Sequence, residues 1–140
     1  MKIEVIKPKG YKKIKLPHFK EWTEALESGK YRQTPNVLCE YDKRAKRNKY
    51  CCLGVLCKIT GVLEKEEGKY RSFGDVEVLN AYNPMNKYLG EVGRFPNGVR
   101  VYCSDSEGEI SNYDCLTELN DSGFASFKDI AKVIREIWKA

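Results

Sequence analysis

Histidine is almost missing from this chain: His18 is the only one among 140 residues. One imidazole excludes the paired-histidine zinc motifs and leaves a Cys–His nucleophile with a single candidate base, set near the start of a helix. The six cysteines contain no Cys-x-x-Cys pair, so they lack the usual spacing of a structural zinc site. Glycine-rich phosphate loops are missing as well. No apolar run approaches the roughly 18 residues of a membrane span, and Met1-Lys2-Ile3-Glu4 opens no apolar core of a secretion signal. A cytoplasmic location without a membrane partner is the expectation. No repeat, low-complexity tract or Gly/Ser linker divides the chain, so one domain is expected over residues 1–140.

What is present is an apolar, cysteine-rich centre, Tyr50-Cys51-Cys52-Leu53-Gly54-Val55-Leu56-Cys57. Read as a helix, it puts Cys52, Val55, Leu56 and Ile59 on one face, while Cys51, Leu53 and Cys57 cover much of the rest. Such a helix is buried nearly all round. Gly54 inside it costs about 1 kcal/mol relative to Ala, which suggests that another backbone or ring passes close there. Gly61, after Thr60, marks the stop. Cys51 and Cys57 would stand about 9 Å apart along the axis, beyond the roughly 7 Å reach of a disulfide. Cys52 and Cys57 would point about 140° apart, so a shared metal would need ligands from Cys39, Cys103 or Cys115. Buried thiols are the expectation, with no metal and no cofactor.

Around this centre the pattern alternates between helix and strand. Pro17, then Phe19, Trp22, Ala25 and Leu26, with Gly29 beyond, predict a helix over 18–28. Tyr31 and Gln33, then Val37, Cys39 and Tyr41, alternate as short strands, with a basic loop over 42–49. A charged turn over 64–69, a brief strand at Val76 and Val78, and one or two helical turns from Pro84 to Gly90 follow. Val99 to Cys103 and Glu109 to Tyr113 read as a hairpin around a turn at 105–108. Phe127, Ile130, Ala131, Ile134, Ile137 and Trp138 form the stripe of a C-terminal helix, with Ser126 and Asp129 as a capping box. The fold class is α+β: helices packed on a short, mostly antiparallel sheet around a buried cysteine-rich helix.

Charge is unevenly placed. Residues 1–50 hold 14 Lys and Arg against 6 Asp and Glu, and residues 51–140 hold 11 against 14, which together make the net +5. The excess collects in 7–15 and in 43–49. Each cluster is either a solvated lysine-rich face or a contact for nucleic acid, an anionic nucleotide or an acidic protein. Asn120-Asp121-Ser122-Gly123 is the most site-like polar group, although these are also the residues of a helix-terminating turn. If a ligand pocket exists, Trp22, Tyr31, Gln33, Asn120 and Asp121 are expected to converge on it, with Arg32 or Arg47 as anion partners. Gln33 has an internal hydrogen bond as its plainer role. Acids such as Asp114 and Asp121 have no spacing that fixes a shared site, so no catalytic residue is assigned.

Three blocks carry a resemblance: Trp22-x-x-Ala25-Leu26-x-Ser28-Gly29-x-Tyr31-x-Gln33, the Tyr50 to Cys57 run, and Leu119-Asn120-Asp121 followed by Ser126-Phe127-x-x-Ile130-Ala131-x-x-Ile134. Together they resemble an uncharacterised family of small phage and prophage proteins. Relatives tend to place Gly soon after the Gln, where this chain has Thr34-Pro35, and residues 62–112 carry no matching motif. The resemblance implies an accessory protein of the host-cell cytoplasm that acts by binding a host protein or a small anionic, nucleotide-like ligand. Two other readings stay open: a virion or assembly component, and a nucleic-acid binder using 7–15 and 43–49.

Overall fold

The computed structural model describes residues 2–61 and 93–140. The charged turn expected over 64–69, the strand at Val76 and Val78, and the turns from Pro84 to Gly90 lie outside the described residues.

Order along the chain is β1 (Lys2–Ile6), β2 (Ile14–Lys15), α1 (Phe19–Glu27), β3 (Arg32–Gln33), β4 (Cys39–Asp42), β5 (Arg47–Tyr50) and α2 (Cys52–Ile59). The second part holds β6 (Arg100–Ser104), β7 (Ile110–Tyr113), α3 (Leu116–Asp121), α4 (Phe127–Ile137) and β8 (Trp138–Lys139). The mixed α+β class holds. Its strands are shared among three small sheets, ordered β1-β6-β7, β2-β8 and β3-β5-β4, with antiparallel pairing except at β2–β8 and β3–β5.

At the centre lies α2, whose residues Cys52 to Cys57 are all buried. Eight residues are too few to make a helix stable by propensity, so burial holds it: each enclosed Leu or Val side chain contributes about 1.5–3 kcal/mol. Its start is fixed by Cys51, whose Sγ accepts the Gly54 N–H at 3.3 Å. The close approach expected at Gly54 is there: a Cβ on this residue would stand 1.9 Å from the Leu38 carbonyl oxygen. Only glycine fits.

The C-terminal helix α4 covers the same core with Phe127, Ile130, Ala131, Val133, Ile134 and Ile137, and its capping box is complete. Trp138, expected in the helical stripe, instead leaves the helix in an extended conformation and is fully buried in β8. There it packs on Phe95, ring centres 6.3 Å apart, because β8 runs beside β2 and the Leu16 N–H bonds the Lys139 carbonyl at 2.8 Å. The helix predicted over 18–28 is α1, followed by Gly29 at φ 76°. The predicted hairpin is β6–β7, paired from Val101↔Tyr113 to Ser104↔Ile110.

Two expectations need correction. The basic segment 42–49 is not a loop: β4 turns into β5 within four residues, and Arg47–Tyr50 is strand. Asp42 Oδ1 drives that turn by accepting the N–H groups of Arg44 at 2.9 Å and Ala45 at 3.2 Å, while Lys46 takes a left-handed φ of 53°. Residues 2–6, assigned no element from the sequence, form β1, whose Ile3 and Val5 register with Cys103 and Val101. Their alternation with Glu4 is a legible strand signal, but the partner is about a hundred residues away.

Candidate functional site

Residues directly opposed across an antiparallel pair share a face. Cys39 opposes Tyr50 and Tyr41 opposes Asn48, so one face of the β4–β5 hairpin carries Tyr41, Asn48 and Tyr50. The other face carries Arg47, which opposes Asp42 at the end of β5 and still borders the groove, and an ion triad in which Asp42 meets Lys49 at 3.3 Å and Arg32 at 3.9 Å. The backbone N–H of Ala45 is the main reason that the Asp42 carboxyl is held below its usual range, with Lys49 adding to it.

The tyrosine face opens on a groove of about 340 Å³. Tyr31, Tyr41 and Tyr50 supply its rings, Asn48 an amide, and Lys30, Lys46, Arg47 and Lys58 its charge; no carboxylate is among these lining residues. Tyr50 is buried and meets Tyr31 edge-on at 5.6 Å, so it acts as a buttress. The Lys30 ammonium sits 5.7 Å over the Tyr31 ring. Tyr41, 40% exposed, is the ring most open to water. Lys46 and Arg47 are exposed and have no carboxylate partner among the described residues. Such a surface can stack a planar ring and neutralise phosphate or carboxylate beside it.

A second cleft, about 450 Å³, is lined by Gln33, Pro35, Asn120, Asp121, Phe124 and Asp129 among others. Here three of the expected residues do meet, but mainly to hold the fold. Asn120 is 2% exposed and uses its whole amide: Oδ1 accepts from Gln33 Nε2 at 3.0 Å and the Cys52 N–H at 3.2 Å. Its Nδ2 donates to the Thr34 carbonyl at 3.0 Å and to Asp121 Oδ1 at 3.2 Å. Asp121 Oδ1 also takes the Asn36 N–H at 2.7 Å, and Gln33 Nε2 reaches the Ala125 carbonyl at 3.0 Å. The helix-terminating reading of Asn120 to Gly123 is realised as well, with α3 ending at Asp121, Ser122 as its C-cap and Gly123 at φ 76°.

The expected single convergence is therefore split. Trp22 is fully buried and gives its Nε1–H to the Cys52 carbonyl at 2.9 Å, so it presents no face to a ligand. Arg32 turns to Asp42 on the opposite side of the hairpin. Tyr31 and Arg47 go to the tyrosine groove, and Gln33, Asn120 and Asp121 to the other cleft. The groove also holds Tyr41, Lys30 and Lys58, which were not among the expected pocket residues, and Lys46, which belongs to the basic segment 43–49. The alternation of Cys39 and Tyr41 marked one strand of this face, while the matching i, i+2 spacing of Asn48 and Tyr50 was hidden by reading 42–49 as loop.

All six cysteines are buried as thiols. Burial pushes Cys51 up to about 12 and Cys52 well above its ordinary range, so neither provides a thiolate near neutral pH. Asp114, Cys115 and Glu118 bring ligand atoms within 4.8 Å of one another. Arg94 stands 3.7 Å from Asp114, and Cys115 Sγ lies 3.2 Å from Thr117 Oγ1, so two of the three have protein partners. No described helix is long and apolar enough to cross a membrane.

No curated protein and no solved structure matches the chain. A family model matches residues 12–138, taking in β2 through the first residue of β8 and therefore both clefts. The chain belongs to that family, described as a domain of unknown function, DUF8296.

Proposed function

We propose that this protein works by binding and not by catalysis, and that its ligand is a small nucleotide-like anion held in the tyrosine groove. One observation carries the reading: among the described residues, three tyrosines and four cationic side chains line one cleft with no carboxylate beside them. The cleft volume of about 340 Å³ lies within the range of small-molecule sites. In this reading Tyr41 stacks on the base, and the Arg47 guanidinium takes a phosphate through two parallel N–H···O bonds. Lys46 and Lys58 add charge. A reactive group is not part of the proposal, because the buried thiols are held protonated and no acid–base pair faces this groove.

Isothermal titration with a panel of nucleoside mono- and triphosphates tests it. Arg47→Glu should weaken capture at least tenfold and leave the circular dichroism spectrum unchanged, since Arg47 is exposed. Wild-type protein that takes up neither the panel nor a nucleotide carried in a strand would sink the reading. In this reading, which the resemblance to phage and prophage proteins supports, the protein is an accessory protein of an infected cell's cytoplasm. Immunoblotting of infected-cell lysate against purified particles separates that role from a virion component.

A further inference from the structure

We propose that the tyrosine groove receives its nucleotide as part of a single-stranded nucleic acid, and not as a free mononucleotide. The inference rests on the groove reading above and deepens it. A free nucleotide is held in sites that enclose most of its surface. The described residues do not enclose this groove: Tyr41 is 40% exposed and its neighbours Lys46 and Arg47 are exposed. An open aromatic platform bordered by cations is the arrangement that lets a strand pass through, with one base stacked and phosphates on either side.

Charge points the same way. Lys46 and Arg47 have no carboxylate partner among the described residues, and Lys43 and Arg44 extend the exposed positive edge along the turn beyond Lys46. Among the described residues that line the groove, no carboxylate is available to accept from a ribose diol or a guanine edge. Binding by ring face and phosphate alone tolerates any sequence. A duplex hides its base faces within the stack, so it engages the cations but not Tyr41. Of the two basic segments, only 43–49 supplies groove residues; Lys7, in the other, is paired with Glu136 at 3.0 Å.

Fluorescence anisotropy with a labelled thymidine decamer, the matching duplex and competing thymidine monophosphate provides the test. The decamer should bind more tightly than duplex at 0.15 M salt, with log K falling against log salt at a slope of about −3 if four phosphates are neutralised. Tyr41→Ala should weaken the decamer about tenfold with the salt slope unchanged, because stacking carries no charge. Tyr41→Phe should keep most of the affinity. Lys46→Gln should flatten the slope by about 0.7. Monophosphate competing as well as the decamer, mole for mole, overturns the strand proposal and leaves the groove reading standing. Equal affinity for duplex, or a folded Tyr41→Ala protein that binds as before, overturns it too. If neither decamer nor any nucleotide binds, both fall.

Discussion

Asn120 shows how a residue type suited to a ligand site is consumed by architecture. Its amide receives two donors and serves two acceptors, joining the chain at Thr34, the start of α2 and the side chain of Gln33. At 2% exposure, water cannot replace these partners. Asn120→Ala leaves the Cys52 N–H and the Thr34 carbonyl unsatisfied, and each costs about 1–3 kcal/mol. Urea unfolding should show a loss of about 3 kcal/mol; a change below 1 kcal/mol would mean that the network is replaceable. From sequence, Asn-Asp-Ser-Gly reads equally well as turn or contact. Only knowing what lies opposite separates the two.

Among the elements, α4 and α2 were the most legible and α3 the least. Apolar residues all round a predicted helix imply burial whatever the partner, and a glycine in such a helix implies a close neighbour. The neighbour proves to be the Leu38 carbonyl. Gly54→Ala should therefore destabilise by about 3 kcal/mol despite the better helix propensity of Ala, since rigid backbone opposes the new methyl. Chemical denaturation of the variant checks this, and a gain in stability would show that Leu38 can move. By contrast, α3 has six residues and no full apolar period, so periodicity cannot find it. The β4–β5 turn was hidden by its charge, because Lys43, Arg44, Lys46 and Arg47 read as solvated loop whether or not two strands flank them.

For the whole molecule, the buried thiols make stability depend on alkaline pH. Cys51 ionises near 9 when exposed and only at about 12 when folded. Across that window the unfolded chain has released a proton that the native chain keeps, so stability falls as pH rises and is unaffected well below 9. Each such thiol contributes a slope of about 1.4 kcal/mol per pH unit, and Cys52 shifts in the same direction. Urea midpoints measured from pH 7 to 11 should stay level and then drop, with a shallower drop in Cys51→Ala. Native protein at pH 8 should leave a disulfide reagent largely unreacted until denaturant is added; rapid reaction of several thiols would show that the interior is not closed.

Local sequence by itself determined the elements whose cause lies within a few residues: the stripe of α4, its capping box, the close-packed α2 and the β6–β7 hairpin. Helical period, caps and turns act over three or four positions, so they can be read without the rest of the chain. Tertiary structure alone decided that β1 joins β6, that β8 lies beside β2, and that Trp22 and Arg32 are withdrawn while Tyr31, Tyr41 and Arg47 remain at one surface. Those outcomes depend on which distant group satisfies a backbone amide, an indole N–H or a carboxylate. That competition is settled only when the chain closes on itself.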